Sequence, residues 1–212
     1  MARRTKAEAE QTRDTILDAA EQLFHAKGVS ATSLSDIASL AGVTRGAIYW
    51  HFKDKVDVFN AMMERVTLPL EDLVGAAVNQ SQGHALAGLR QVVGNTMARM
   101  QEDAQIRQVF DITRNRAAYV ADMQPVHERL MRTRDAFIAH TQKALALEAA
   151  AQQRPLCLPL EQAALVLHTQ IDGMIHLWLM EPAAFDLPSI GLAAFDVAVR
   201  GLGLDLFHGD NI

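Results

Sequence analysis

The most constraining feature of the sequence is the segment 33–52, in which two short helical patterns are separated by one glycine. Ser33 and Asp36 stand three residues apart, as in a capping box that begins a helix. Gly42 can adopt the positive φ that a tight turn requires, and Thr44 can cap a second helix. The segment therefore predicts two short helices joined by a sharp turn, which is the arrangement of a helix-turn-helix.

A third helix is expected before this segment. Apolar residues recur there at helical spacing, and a glycine follows where a left-handed helix end is expected. These residues are Ile16, Leu17, Ala20, Leu23, Phe24 and Gly28. The small Ala38 lets the two helices of the motif approach closely, and Ile37, Val43 and Ile48 are expected to close a small core between helices. We therefore predict a helix-turn-helix domain over residues 1–55 and a larger domain over residues 56–212.

The remainder of the chain keeps helical spacing, and no stretch shows the two-residue alternation of a strand. A long helix is expected from Lys55, with Pro69 kinking it or ending its first part. Residues 160–180 are apolar on more than one face, which is typical of a helix buried against its own subunit and a second one. A final helix is expected near residues 190–206. We predict an all-α protein of about nine helices.

Charge is unevenly distributed along the chain. The net charge is −5, yet residues 1–55 carry eight basic and seven acidic side chains, while residues 56–212 carry twelve and eighteen. The first segment is therefore the part suited to a polyanion. Cys157 stands alone, so neither a disulfide framework nor a thiolate metal site is expected, which fits a cytoplasmic protein. The polar N-terminus predicts no export signal, and the charges inside residues 160–180 argue against a membrane span.

The exposed face of the third helix is the expected DNA-reading surface. Thr44 and Arg45 lie at its N-terminus, where a recognition helix meets base edges, and Arg45 is the leading base contact. Hydrogen-bond donors further along the third helix and just after it have a spacing that suits contacts with neighbouring phosphates. A basic N-terminal arm can contact the flanking DNA backbone or the minor groove. Trp50 and Phe52 are interpreted as packing aromatics. The predicted DNA contacts are Arg3, Arg4, Lys6, Ser33, Thr44, Arg45, Gly46, Tyr49, His51 and Lys55.

Three stretches of the N-terminal part form one specific motif. They are Thr32-Ser-Leu-Ser-Asp-Ile-Ala38, Ala41-Gly-Val-Thr-Arg-Gly-Ala-Ile-Tyr-Trp-His-Phe52 and Lys53-Asp-Lys55. This motif closely resembles the TetR/AcrR transcriptional regulators, and the Arg-Arg-Thr-Lys opening resembles their branch that controls multidrug efflux pumps. The resemblance implies a dimeric repressor that binds a palindromic operator and is released by a hydrophobic small molecule.

The same resemblance implies roles for the C-terminal part. The last two long helices would form a four-helix dimer bundle, and the middle helices would enclose a cavity whose methionine and aromatic walls tolerate varied ligands. For any one of these wall positions an ordinary core is an equal alternative. Asp172 can either orient a ligand or form a structural bond, to a neighbouring helix or across the dimer. The predicted ligand contacts are Leu89, Val93, Met97, Phe110, Phe137, His140, Leu167, His168, Ile171, Asp172 and Ile175.

Other classes of protein receive less support. An enzyme of a familiar type would need a Glu-x-x-His metal pair, a Gly-x-Ser-x-Gly elbow or a phosphate-binding glycine loop, and the sequence has none of them. We predict no catalytic residues, no metal site and no cofactor. The alternatives are an architectural or interaction protein that uses its helices for assembly, and a TetR-type regulator of a metabolic operon.

Overall fold

The computed structural model describes residues 6–79, 84–116 and 124–206. Within these ranges the chain forms nine α-helices, one π-helical turn and no strand. The α-helices are α1 (Lys6–Lys27), α2 (Leu34–Leu40), α3 (Arg45–His51), α4 (Lys55–Asn79), α5 (Ala85–Glu102), α6 (Ala104–Asp111), α7 (Gln124–Gln152), α8 (Leu160–Met180) and α9 (Leu187–Gly201), and the π-helical turn is Ile112–Arg116. The prediction of an all-α protein with about nine helices is confirmed.

The helices are grouped into two compact units. The first unit comprises Met1–Thr67 and Gln108–Met131, and the second comprises Leu68–Arg107 and Arg132–Ile212. The helices α4, α6 and α7 contribute residues to both units, because their bounds cross these limits. The functional boundary after residue 55 stays a prediction.

The first unit has one apolar core. Buried residues of α1, α2 and α3 meet the start of α4 there, and the rings of Phe24 and Phe59 lie 6.2 Å apart. Val109, Ile112 and Val126 belong to the same core, although they follow much later in the chain. Each such buried side chain contributes about 1.5–3 kcal/mol to stability. The first three helices therefore depend on packing with residues that the helix-turn-helix pattern does not include.

In the second unit, α5 and α8 both pack against α9. The buried carboxylate of Glu148 on α7 accepts a hydrogen bond from the backbone N–H of Leu86, with 3.3 Å between the atoms. The Gln152 amide forms two bonds with the backbone of Asp205, donating to its carbonyl at 2.5 Å and accepting from its N–H at 2.9 Å. These bonds attach the start of α5 and the segment after α9 to α7.

Pro69 lies inside α4, and the helix continues to Asn79. Proline lacks a backbone N–H, so the helix loses one hydrogen bond at this position without ending. Of the two effects predicted for Pro69, the ending of the helix is wrong.

The last two helices lie close to their predicted positions. α8 occupies the predicted residues, whereas α9 begins and ends a few residues earlier than expected. The early start has a local cause, because the Asp186 carboxylate accepts a hydrogen bond from the Ser189 N–H at 2.9 Å and caps the helix. In the described part of the chain, no helix combines the length and the apolar character that a membrane span needs.

Candidate DNA-binding and ligand-binding sites

The capping box predicted at the start of α2 is present. The Asp36 N–H donates to Ser33 Oγ, the Ser33 N–H donates to Asp36 Oδ2, and both distances are 3.1 Å. Hydrogen bonds from the Ser33 backbone and then from its hydroxyl hold the pKa of Asp36 below its ordinary value, with a smaller contribution from the charge of Lys27. The carboxylate therefore stays ionised and satisfies donors at the helix start.

The turn between α2 and α3 depends on Gly42. Its φ is +67°, while a Cβ built there would meet nothing within 4 Å. The backbone conformation, rather than the available space, therefore calls for glycine. The Val43 N–H donates to the Ala38 carbonyl at 3.0 Å and closes the turn.

The α3 helix is held at its start and along one face. Thr44 Oγ1 accepts a hydrogen bond from the Ala47 N–H at 3.1 Å, as predicted for a cap. Ile48 is completely buried with Ile37 in the core of the first unit. At the start of the helix, Arg45 and Gly46 are both exposed. The predicted base-contacting residues are thus open to solvent on a helix whose position is fixed.

The two aromatics interpreted as packing residues have different environments. Phe52 is buried, and the guanidinium carbon of Arg13 lies 5.4 Å from its ring centre. Trp50 is 72% exposed, so its interpretation as a packing residue is wrong. The sequence contained the signal, because Phe52 lies one helical turn after the buried Ile48 and Trp50 lies on the other side of the helix. Tyr49, which is 54% exposed, shares this surface with Trp50.

The remaining predicted DNA contacts differ in how they are engaged. The Lys55 ammonium donates to the Ser30 carbonyl at 2.9 Å and so ties the start of α4 to the loop after α1. An ammonium group has three donors, so this bond is compatible with a phosphate contact. Lys6 is exposed, with its Nζ 3.9 Å from Glu10 Oε1. Arg3 and Arg4 lie outside the described residues.

The predicted ligand contacts divide by burial. The apolar members on α5 and α8 are buried, and the aromatic and polar members on α6, α7 and α8 are half-buried. The buried residues are Leu89, Val93, Met97, Leu167, Ile171 and Ile175, and the half-buried residues are Phe110, Phe137, His140, His168 and Asp172. The rings of Phe137 and His168 lie 5.5 Å apart, so α7 and α8 meet at this pair. Phe110 belongs to the first unit and the other ten residues belong to the second.

A close contact between α5 and α9 was missed by sequence reasoning. Arg90 donates to both carboxylate oxygens of Asp196, at 2.5 and 2.9 Å, and these hydrogen bonds raise the pKa of Arg90. At the other end of the contact between α5 and α9, Gln101 Oε1 accepts a hydrogen bond from the Leu187 N–H at 3.1 Å. Between them, a Cβ on Gly191 would overlap the end of the Met97 side chain. Polar bonds at both ends and close packing between them therefore join the two helices.

Parts of α8 and α9 carry apolar side chains that the second unit does not cover. All of them are at least 40% exposed in the described chain. They are Leu165, Val166, Leu177, Met180, Ile190 and Val197. Large uncovered apolar patches are typical of interaction sites. Among the described residues, no three His, Cys, Asp or Glu side chains are grouped so that they could hold a metal ion.

An all-helical chain with an N-terminal helix-turn-helix belongs to a class of DNA-binding regulators, and comparison with known proteins defines the family. The profile of "Bacterial regulatory proteins, tetR family" matches residues 16–62, and that of "MAATS-type transcriptional repressor, C-terminal region" matches residues 84–201. The chain belongs to the tetR family of bacterial regulatory proteins. The family resemblance seen in the sequence is confirmed, and the protein is a transcriptional regulator.

Similarity extends along nearly the whole chain in several members. The HTH-type transcriptional regulator TtgR of Pseudomonas putida is 35% identical over 189 residues, which cover 88% of this chain and 89% of TtgR. NalD, the secondary repressor of the MexAB-OprM multidrug efflux pump in Pseudomonas aeruginosa, superposes with a TM-score of 0.83 and 32% identity, covering 92% of this chain and 98% of NalD. SmeT, the repressor of the Stenotrophomonas maltophilia efflux pump SmeDEF, gives a TM-score of 0.81 and 31% identity in its triclosan complex, with 90% of each chain covered.

Proposed function

We propose that the protein is a homodimeric repressor that binds a palindromic operator of a multidrug efflux operon and leaves it when a hydrophobic small molecule binds. The observation that carries this proposal is the match over about nine-tenths of the chain to repressors of such pumps, NalD at 92% and SmeT at 90%. Because the target is chromosomal DNA, we place the protein in the cytoplasm.

The proposed DNA contacts are the ten predicted residues together with Trp50. α3 enters the major groove, and Arg45 at its start reads a base edge. Tyr49, His51 and Lys55 contact phosphates and set the position of the helix. The exposed Trp50 indole adds an apolar surface that suits a sugar or a thymine methyl group.

Dimerisation through α8 and α9 brings two recognition helices to one operator. One series of exposed residues on α8 is spaced at intervals of three or four, and so is a series on α9. They are Val166, Thr169, Gly173, Leu177 and Met180 on α8, with Ile190, Ala193 and Val197 on α9. Pairing these faces would cover the exposed apolar surface, and a twofold dimer would read half-sites about 34 to 36 Å apart.

Release from the operator requires that ligand and DNA binding are coupled. The ten predicted ligand contacts that lie in the second unit supply the proposed site, with Asp172 or a histidine orienting the ligand. Since α4 contributes residues to both units, we infer that its displacement changes the separation of the recognition helices. A coupling free energy of about 1 to 3 kcal/mol changes operator affinity about 5- to 150-fold.

Fluorescence anisotropy of labelled DNA tests the proposal. The DNA upstream of the gene is compared with scrambled DNA at equal salt, with and without triclosan, the ligand in the SmeT complex. We expect specific binding that triclosan weakens at least about fivefold. Arg45→Ala should weaken specific binding about 10-fold or more, whereas Arg132→Ala, which removes an exposed arginine on α7, should leave it within about twofold.

Two results would contradict the proposal. Equal binding to both DNAs with a steep salt dependence would indicate an architectural protein. Specific binding that no hydrophobic compound weakens would favour a regulator of another operon.

A further inference from the structure

Trp178, near the end of α8, has a buried indole with an unusual feature. The side chain is 1% exposed and has the largest volume among the fully buried side chains. Its Nε1 is sealed from solvent and has no hydrogen-bond acceptor within residues 6–79, 84–116 and 124–206. The indole N–H can only donate, and buried tryptophans usually find an acceptor. A buried donor without an acceptor therefore calls for an explanation.

The position of Trp178 on α8 relates it to the proposed ligand site. Leu167, Ile171, Ile175 and Trp178 follow at intervals of four, four and three, which places them on one face of the helix. All four are buried, and the first three belong to the predicted ligand contacts. Trp178 thus adds a hydrogen-bond donor to a face that is otherwise apolar.

We propose that Trp178 is the hydrogen-bond donor of the ligand site, and that the inducer is an apolar molecule with a hydrogen-bond acceptor that pairs with Nε1. This inference rests on the proposed function and specifies the chemistry of its ligand. An acceptor such as a ketone oxygen forms a bond that the ligand-free protein lacks, whereas a hydrocarbon of the same shape leaves the donor unpaired. A buried polar group that one ligand pairs and another leaves unpaired is an effective source of ligand discrimination.

A matched pair of probes isolates this hydrogen bond. Benzophenone and diphenylmethane share two phenyl rings and differ in a carbonyl group against a methylene group. We expect wild-type protein to bind benzophenone about tenfold more tightly than diphenylmethane in calorimetric titrations. Trp178→Phe keeps an aromatic ring and removes the donor, so it should remove this preference and leave diphenylmethane affinity within about twofold.

Nuclear magnetic resonance gives a second measurement that needs no variant to bind ligand. The chain contains two tryptophans, so Trp178→Phe assigns both indole N–H signals. Benzophenone should move the Trp178 signal downfield, in the direction of a formed hydrogen bond, and diphenylmethane should not. This readout distinguishes a direct contact from a change in packing.

The outcomes separate this inference from the function on which it rests. Equal affinity of the two probes for wild-type protein, or an equal loss of both in Trp178→Phe with no shift of the indole signal, would overturn the role of Trp178. So would a failure of both probes to bind while triclosan still releases the operator. If no hydrophobic compound releases the operator, the proposed function itself fails.

Discussion

The hydrogen bonds that hold the segment 33–52 and those that hold the contact between α5 and α9 differ in how far apart the bonded residues are in the sequence. In the first, the cap bonds at Ser33 and Thr44 join residues three apart. In the second, Arg90 bonds with a residue 106 positions away and Gln101 with one 86 positions away. A local bond needs only residues at the start of its own helix, whereas a distant bond needs the packing that brings two helices together.

This difference separates residues whose substitution acts on one helix from residues whose substitution acts on the packing between helices. A lost cap leaves donors that water can reach at an exposed helix start. Breaking an ion pair between helices leaves one charged side chain in a partly desolvated contact. This lowers the free energy of unfolding by more than the loss of a cap does. The distant bonds should therefore give the larger losses of stability, wherever they lie in the chain.

The largest loss is expected inside the first unit, from Arg65→Ala. Arg65 on α4 bonds to Glu21, which is buried, and to Asp18 at 2.8 Å. Partial burial opposes the charge on Arg65, but the bonds and charges of Glu21 and Asp18 raise its pKa. Removing the guanidinium takes a hydrogen bond and a compensating charge away from the buried Glu21 carboxylate, and should lower the free energy of unfolding by about 3 kcal/mol in urea titrations.

Two variants control this prediction. Glu64→Ala changes the exposed neighbour on the same helix and should cost less than about 0.5 kcal/mol. Arg65→Met combined with Glu21→Leu removes both charges and should recover most of the loss. A loss below about 1 kcal/mol for Arg65→Ala would mean that distant ion pairs are no costlier to break than caps.

The second prediction concerns Arg90→Ala in the contact between α5 and α9. The side chains of Arg90 and Asp196 are 27% and 18% exposed, so a loss of about 2 kcal/mol is expected. Arg154 and Asp205 form a matched control, because this pair is 51% and 53% exposed and Arg154→Ala should cost less than about 1 kcal/mol. Equal losses in the two pairs, measured by urea unfolding, would contradict a role for burial.

The sequence separation of the bonded residues also determines how much of the structure could be predicted from the sequence. The capping box, the Thr44 cap and the positive φ at Gly42 were predictable, because each depends on neighbouring residues. The partner of Arg90 was not, since the chain has 25 acidic side chains and spacing does not select Asp196. The helical nature of residues 56–212 could be predicted because helical spacing is also a local pattern, while the packing of α5 on α9 could not.

The third prediction is a moderate loss on removal of the α2 cap. Ser33→Ala should lower stability by about 1 kcal/mol, because the Asp36 N–H loses its acceptor. Ser35→Ala is the matched control within the same helix, where alanine is the better helix former and the change should be neutral or stabilising. Hydrogen exchange of the α2 amides measures both. The same loss in the two variants would show that the effect does not come from the cap.

The smallest effect is expected for Asp36→Asn, and it depends on pH. Because the folded-state pKa of Asp36 lies below its ordinary value of 3.8, its ionised form stabilises the fold fully above that value. This stabilisation is lost as the pH falls from there through the folded-state pKa. The stability difference between wild type and Asp36→Asn should therefore shrink as urea unfolding is repeated from pH 6 downward past about pH 4. In a Ser33→Ala background the hydroxyl can no longer hold the pKa down, so the pH-dependent part should become smaller. A difference that stays constant with pH would show that the carboxylate stabilises the start of α2 by its shape rather than by its charge.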